Sequence, residues 1–212
     1  MSLADGGNIL AFKELNEGTF SHAEKLHSFI IDVLASARLE MKDLDAVAVS
    51  KGPGSYTGLR IGVSAAKGLC YALDIPLIST PTLKCLALQI PANTSEHIVP
   101  LLDARRMEVY SAVFDGLHNE VRETKAEIID KESFAGLLEQ GKVCFLGDGA
   151  EKCEELIRHS NAEFIKGKYP SAKEMAVLAN EKFNKTDFED LAYFEPFYLK
   201  DFVAGKPKNY FR

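Results

Sequence analysis

The sequence of 212 residues lacks several features that mark specialised classes of protein. No apolar run approaches the roughly 18–20 residues that cross a bilayer, so we expect no membrane-spanning helix. The first residues carry neither a basic segment nor an apolar core, and we expect no signal peptide. Repeats and low-complexity stretches are also missing. With 46% hydrophobic and 26% charged residues, the composition is typical of a folded globular protein and excludes a mostly disordered chain.

Cysteine and positive charge are both sparse. The four cysteines (Cys70, Cys85, Cys144 and Cys153) are widely spaced and form no Cys-x-x-Cys pair, which argues against a zinc site. We predict four free thiols in a reducing, cytoplasmic environment. The net charge of −6 argues against a protein whose whole surface binds nucleic acid, but it is compatible with a local basic patch.

Hydrophobic periodicity predicts an α/β protein with two lobes, one comprising residues 1–95 and the other residues 96–212. In the first lobe we predict strands at 8–15, 44–50 and 76–79 and helices at 20–38 and 57–73, with a further helix starting at Pro81. In the second we predict strands at 97–103, 107–115 and 142–146 and helices at 131–140, 150–159 and 171–184. The alternation of strand and helix in the first lobe favours parallel pairing. The aromatic-rich end of the chain, 193–212, is predicted to be an extended tail packed across both lobes.

The most informative stretch is residues 51–60 (KGPGSYTGLR), which follows a predicted strand and opens a helix. Unpaired N–H groups and the positive end of the macrodipole at a helix start favour an anion. The loop matches neither the P-loop nor the dinucleotide fingerprint, because no lysine follows its last glycine and its glycine spacing is one residue too long. Two interpretations stay open: a tight turn capped by Ser55 or Thr57, or an anion site with Gly54, Ser55, Thr57 and Gly58 as candidate ligands.

The helix predicted after this loop is rich in small side chains: Gly62, Ser64, Ala65, Ala66 and Gly68. Glycine inside a helix costs about 1 kcal/mol relative to alanine, so two glycines indicate a reason for close packing. Small side chains allow another helix backbone to approach closely. The sequence is equally compatible with a neighbouring helix in the same chain and with one in another chain.

Residues 51–69 (KGPGSYTGLRIGVSAAKGL) closely resemble the signature of the bacterial TsaB (YeaZ) family. Residues 22–26 (HAEKL), 101–110 (LLDARRMEVY) and 196–199 (PFYL) also match, so the resemblance covers nearly the whole chain in order. It implies a two-lobed, actin-like α/β fold of the ASKHA, ribonuclease H-like type. It further implies a non-catalytic subunit that binds and supports TsaD in forming N6-threonylcarbamoyladenosine at position 37 of tRNAs that read ANN codons. In that family's pathway TsaC makes the threonylcarbamoyl-adenylate.

The resemblance also implies the partners of the protein. These are a TsaD-like paralogue in a heterodimer and a TsaE-like ATPase in a larger complex, with tRNA contacted only through the complex and no membrane partner. Alone, the chain is expected to form a homodimer. We predict that helices 20–38 and 57–73 form the contact surface. The predicted interface residues are Leu26, Ile30, Leu34, Gly58, Ile61, Gly62, Ala65, Ala66 and Leu69.

No catalytic residue, metal or cofactor is predicted. Whether a nucleotide binds at the partner interface stays an open question. TsaD-like catalysis implies a metal held by a His-x-x-x-His pair, whereas His22 and His27 are five residues apart and point about 140° away from each other on a helix. Ser55 has no G-x-S-x-G surroundings. Asp103 and Asp148 follow strands beside turns, where turn capping is favoured over a nucleotide or metal role. Older names of the family, glycoprotease and peptidase M22, imply proteolysis, which these residues do not support.

Two other functions are kept as alternatives. The first is a phosphate- or nucleotide-binding enzyme of the same actin-like fold, which rests on the glycine loop. The second is direct tRNA binding through Arg105 and Arg106 together with the tail lysines Lys200, Lys206 and Lys208.

One departure from the family concerns the first lobe. The resemblance implies that the chain starts within the family's second strand, so that the first strand, which sits in the middle of the sheet, is absent. Its absence leaves two unpaired strand edges. We expect that the sheet closes up, that another chain supplies the strand, or that the sequence is shortened.

Overall fold

A computed structural model of the chain describes residues 1–15 and 22–200. The strands are β1 (Ser2–Asp5), β2 (Asn8–Phe12), β3 (Val47–Gly52), β4 (Leu77–Pro81), β5 (His97–Asp103), β6 (Glu108–Asp115), β7 (Glu120–Ile128), β8 (Val143–Leu146) and β9 (Ala162–Ile165). The α-helices are α1 (His22–Ala37), α2 (Tyr56–Leu73), α3 (Thr82–Ala87), α4 (Ala135–Gln140), α5 (Ala150–Glu154) and α6 (Ala172–Asn184). No helix in the described part of the chain is long and apolar enough to cross a membrane.

The second half of the chain is built on a mixed five-stranded sheet in the order β7-β6-β5-β8-β9. Strands β5, β8 and β9 run parallel, while β6 and β7 are antiparallel to their neighbours. Because side chains alternate across a strand, Val99 and Leu101 of β5 pack in one hydrophobic cluster with α4 and α5. Ile98 and Leu102 pack on the opposite face in a cluster that includes α3. The sheet is therefore buried on both faces at its centre.

The first half contains two separate two-stranded sheets. Strands β1 and β2 form an antiparallel hairpin, whereas β3 and β4 pair in parallel as predicted. The expectation that the sheet closes up is wrong, because no backbone ladder joins the two pairs in the described residues. Helix contacts hold the hairpin instead: the Ser2 hydroxyl donates to the Ala172 carbonyl of α6 at 2.7 Å, and Lys13 pairs with Asp32 of α1.

Helix α6 comes late in the chain but packs against strands β1 to β4 of the first half. The Lys182 ammonium donates to the Ser79 carbonyl of β4 at 3.1 Å. Just after the helix, the Glu189 N–H donates to the Leu77 carbonyl at 2.9 Å. The division of the chain at residue 95 stays a prediction, and these contacts associate α6 with the first-half strands.

The segment that follows α6 contacts both halves of the molecule. The Phe197 N–H donates to the Lys51 carbonyl at 2.7 Å, and Lys200 pairs with Glu108 of β6. Phe197 and Lys200 thus contact opposite halves of the chain, while the packing of the tail across two lobes stays a prediction. Residues 201–212, including Lys206 and Lys208, lie outside the described part of the chain.

Several element boundaries differ from the predictions. Strands β7 and β9 were not predicted, helix α4 begins at Ala135 instead of residue 131, and α5 ends at Glu154 instead of residue 159. Phe134, just before α4, adopts a left-handed conformation with φ of 66°. This conformation interrupts the helical path between residue 131 and α4.

We predict that Phe145→Ala lowers the free energy of unfolding by about 3–5 kcal/mol, because it leaves a cavity in the centre of the five-stranded sheet. The Phe145 ring is fully buried in β8, 4.9 Å from the Phe164 ring and 5.4 Å from the Phe134 ring, measured between centroids. Urea unfolding measures the change. Tyr193→Ala is the control, since that side chain is 84% exposed, and it should change stability by less than about 0.5 kcal/mol. Equal effects of both variants would contradict this description of the core.

Candidate functional site

The glycine loop connects β3 to α2 and is a capped turn. The Ser55 hydroxyl oxygen accepts a hydrogen bond from the Gly58 N–H at 3.3 Å, and the Ser55 carbonyl accepts from the Leu59 N–H at 2.8 Å. Ser55 is therefore the N-cap of α2, which confirms the structural interpretation of the loop. The role of Gly54, Ser55, Thr57 and Gly58 as anion ligands stays a prediction.

The tail covers one side of this loop. Gly52 has a φ of 109°, and a Cβ atom added there would lie 2.9 Å from the Phe197 carbonyl oxygen. The rings of Tyr198 and Tyr56 lie 4.9 Å apart between centroids. Desolvation raises the pKa of the Tyr198 hydroxyl, and the neighbouring Tyr56 acts in the same direction. The glycine at position 52 thus serves the close approach of the tail.

A cleft of about 510 Å³ lies next to the loop and is lined by residues from both halves of the chain. Its walls include two lysines, Lys51 and Lys84, and two glutamates, Glu120 and Glu123. The Lys84 ammonium lies 5.2 Å from the centroid of the Phe114 ring and donates to the His118 carbonyl. Burial lowers the pKa of Lys84 below its usual range. Because both charge signs are present, the cleft is not built for a phosphate group alone.

Helix α2 packs one face against the β3–β4 pair and turns the other to solvent. Val63, Ala66 and Cys70 are buried, and the latter two form a cluster with Leu77 of β4. The exposed positions follow helical spacing along the opposite side: Thr57, Arg60, Ser64, Gly68 and Tyr71. We call this exposed row the α2 outer face.

Burial corrects three of the predicted interface residues. Ile30, Leu34 and Ala66 are buried inside this chain, so their assignment to a contact surface is wrong. The physical reason is that the apolar stripe of an amphipathic helix packs on the nearest core, here that of the same lobe. The other predicted interface residues are half-buried and stay a prediction: Leu26, Gly58, Ile61, Gly62, Ala65 and Leu69.

Two large exposed apolar side chains on α1 and α2 are not among the predicted interface residues. Ile31 of α1 is 61% exposed and Tyr71 of α2 is 84% exposed. Both follow a buried residue, Ile30 and Cys70, and lie outside the apolar stripe of their helix. In the sequence, an apolar residue at a helix position outside the apolar stripe could have indicated such an exposed side chain.

The two glycines inside α2 have different surroundings. A Cβ atom at Gly62 would be 3.8 Å from a methyl group of Val49 in β3, which is ordinary contact inside the chain. A Cβ atom at Gly68 would meet nothing within 4 Å. Packing within the described residues therefore gives no reason for glycine at position 68.

The two carboxylates proposed as turn caps, Asp103 and Asp148, both accept hydrogen bonds from backbone N–H groups. Asp148 accepts a hydrogen bond from the Asp103 N–H at 3.0 Å, and Asp103 accepts from the Arg105 N–H at 3.0 Å. Asp103 also pairs with Lys152. Desolvation raises the pKa of the Asp148 carboxyl, and the nearby Asp103 carboxylate acts in the same direction. The turn-capping interpretation is confirmed for Asp103. Asp148 instead binds the N–H of the last residue of β5, so its turn-capping role stays a prediction.

The remaining candidates for chemistry are dispersed. All four cysteines are free and buried, as predicted, and burial raises the pKa of Cys85 and Cys153 to about 11, which keeps both thiols protonated at neutral pH. His27 is exposed on α1, while the side chain of His22 lies outside the described part. Among residues 1–15 and 22–200, no three His, Cys, Asp or Glu side chains are grouped as metal ligands would be.

The architecture defines the class of the protein. The chain superposes on the structure of YeaZ from Pseudomonas aeruginosa with a TM-score of 0.72, 24% identity and coverage of 87% of this chain and 92% of that one. Another P. aeruginosa structure, described as similar to the peptidase YEAZ, gives a TM-score of 0.68 at 21% identity over 84% of both chains. The fold is therefore the predicted actin-like α/β fold.

Comparison of sequences gives the family. Residues 19–208 match the family described as "TsaD: tRNA N6-adenosine threonylcarbamoyltransferase", and the chain belongs to that family. It is 28% identical over 193 residues to the tRNA threonylcarbamoyladenosine biosynthesis protein TsaB of Escherichia coli K12, covering 87% of this chain and 83% of the relative. To the TsaB of Bacillus subtilis 168 it is 37% identical over 94 residues, 44% of this chain and 41% of the relative.

We predict that Gly52→Ala destabilises the fold by about 1–3 kcal/mol, because a side chain at this positive φ is strained and meets the Phe197 carbonyl. Gly54→Ala is the matched control, since its Cβ atom would be 4.0 Å from the nearest Leu59 atom. Urea unfolding gives the stability of each variant. Hydrogen exchange of the Phe197 N–H, which bonds to Lys51, should accelerate in Gly52→Ala only. Slow exchange in both variants would show that the tail does not depend on this glycine.

Proposed function

We propose that this protein is a non-catalytic subunit that binds a TsaD-like paralogue and supports it in forming N6-threonylcarbamoyladenosine at position 37 of tRNAs that read ANN codons. Family membership and the similarity to proteins named as tRNA threonylcarbamoyladenosine biosynthesis protein TsaB support the pathway. The observation that carries the partner-binding role is the α2 outer face, where Gly68 stands in open space next to the exposed Tyr71.

The shape of this face suits a helix from a second polypeptide. Gly68 and Ser64 are exposed and small, so a partner backbone can approach the α2 axis closely. Tyr71 provides exposed aromatic area of the kind that is enriched at protein interfaces, and Ile31 of the adjacent helix α1 is a further exposed apolar side chain. A standard interface buries about 800 Å² on each partner, which two adjacent helices can supply.

The absence of a catalytic role is supported by how the candidate groups are used. Asp103 and Asp148 accept hydrogen bonds from backbone N–H groups, and Ser55 caps a helix. Cys85 and Cys153 are buried thiols with raised pKa values. These side chains stabilise the fold and are not arranged as a nucleophile with its base.

The proposed assembly has several members. The TsaD-like paralogue forms a heterodimer with this chain, and a TsaE-like ATPase joins the larger complex in the cytoplasm. Without the paralogue, the same face pairs two copies of this chain in an isologous dimer. The protein holds no cofactor of its own, and a nucleotide is bound, if at all, at the joint surface.

The alternative function is a nucleotide-binding enzyme of the actin-like fold, and the cleft of about 510 Å³ is the observation that favours it. Calorimetry of the isolated chain with ATP, ADP and Mg²⁺ separates the two functions. The subunit proposal predicts no sub-millimolar binding by the chain alone. Tight binding that is lost when Lys51 or Lys84 is replaced by alanine would favour the enzyme.

We predict that Gly68→Trp abolishes or weakens the association with the TsaD-like paralogue by at least about 100-fold, because the indole occupies the space that the partner backbone needs. The fold should tolerate the change, since Gly68 is exposed with open space around its Cβ position. Isothermal titration calorimetry with the purified paralogue measures the affinity, and sedimentation velocity measures self-association.

Gly136→Trp is the matched control for this experiment. Gly136 also lies exposed in a helix, α4, and its Cβ position likewise has nothing within 4 Å. It belongs to the other half of the molecule, so this variant should bind the paralogue as the unmodified chain does. Unchanged binding of Gly68→Trp, with both variants folded, would remove the α2 outer face from the interface.

A further inference from the structure

The hairpin that joins β5 to β6 ends in two consecutive arginines with unusual backbone conformations. Arg105 has a φ of 70° and Arg106 a φ of 54°. Residues with a positive φ are normally glycine, asparagine or aspartate, because the side chains of other residues clash with their own backbone there. Asparagine, aspartate or glycine at positions 105 and 106 would therefore adopt this backbone conformation with less strain than arginine does.

The backbone of this turn is held by a defined set of hydrogen bonds. The Ala104 N–H donates to the Glu108 carbonyl at 3.0 Å, and the Arg105 N–H donates to Asp103 at 3.0 Å. The Lys152 ammonium, reaching over from α5, donates to the carbonyls of Arg106 and Glu108 at 2.9 Å and 2.6 Å. The turn thus presents its side chains from a fixed support.

The two arginines at this tip are exposed. In the part of the chain that the structure describes, neither side chain of Arg105 or Arg106 makes a hydrogen bond or an ion pair. The nearby carboxylates are already engaged, Asp103 with Lys152 and Glu108 with Lys200. The tip consequently offers two uncompensated positive charges on a strained backbone.

We propose that Arg105 and Arg106 form a phosphate-binding tip that contacts the sugar-phosphate backbone of the RNA substrate in the assembled complex; this rests on the proposed function. Each guanidinium offers a planar fork of donors that matches the oxygens of a phosphate group. The arginines lie at an exposed hairpin end and are not among the residues that line the cleft of about 510 Å³, which suits an extended polyanion better than a small enclosed ligand. The contact positions the RNA and does not read its sequence.

Because the net charge of the chain is −6, we expect Arg105 and Arg106 to contact RNA in the assembled complex and not in the isolated chain. Two arginines on an acidic chain give weak binding alone. When a partner subunit already holds the RNA, the two arginines are at a high effective concentration relative to it. Their contact then increases the affinity of the complex for the RNA.

The test is the variant R105N/R106G in the purified complex with the TsaD-like paralogue. Asparagine followed by glycine suits the two positive φ values, so the melting temperature of the isolated variant should rise, by about 2–4 °C. The affinity of the complex for a fluorescein-labelled transcript of an ANN-reading tRNA should fall about 10-fold or more. Anisotropy titrations between 50 and 200 mM salt should show a salt slope that is smaller by about 1 for each phosphate group that the variant no longer neutralises.

Two further variants serve as controls. R158N/K131N removes two exposed charges elsewhere in the second half and should leave the affinity within about 2-fold. R105K/R106K keeps the charges at the tip and should retain most of the salt slope.

The outcomes separate the two proposals. If the complex with R105N/R106G is intact and its RNA affinity and salt slope are unchanged, the tip proposal is wrong while the proposed function stands. A falling melting temperature in R105N/R106G would contradict the strained conformation on which the tip rests. If the unmodified chain fails to pair with the paralogue, the proposed function is wrong and the tip proposal fails with it.

Discussion

The packing of α2 on the β3–β4 pair determines which side of this helix faces solvent. Val63, Ala66 and Cys70 lie on the buried side of the helix. Because a helix has a fixed rotation per residue, this packing also determines that Ser64, Gly68 and Tyr71 face outward. A rotation of the helix by one residue would bury a different stripe and present a different surface to a partner.

The glycine loop links this packing to the rest of the molecule. It ends β3, caps α2 through Ser55, and receives the tail at Gly52, while the tail continues to Lys200 and reaches β6 of the other half. The spacing of the loop left a capped turn and an anion site both open, and the contacts of Ser55 and Gly52 show that the loop has a structural role. One short segment therefore positions the candidate interface and connects the two halves of the chain.

Much of the fold was predictable because α1, α2, β5 and β6 have strong hydrophobic periodicity. Strand β7 was missed because Arg122, Lys125 and Glu127 place charges on both of its faces, and β9 was missed because it is a short edge strand. At the candidate interface, hydrophobic periodicity identified the apolar stripe of α1. It did not show whether this stripe packs on the same chain or on a partner. Ile30 and Leu34 turned out to face their own core, and Ile31 beside them faces solvent.

Hydroxyl-radical footprinting of the side chains, with and without the TsaD-like paralogue, shows whether the α2 outer face is the interface, because it measures side-chain exposure residue by residue. Tyr71 is 84% exposed in the isolated chain, so a large loss of exposure there is measurable. We expect that oxidation of Tyr71 falls several-fold on complex formation, while oxidation of Tyr169, between β9 and α6, stays the same. Protection of Tyr169 with no change at Tyr71 would show that the paralogue binds elsewhere.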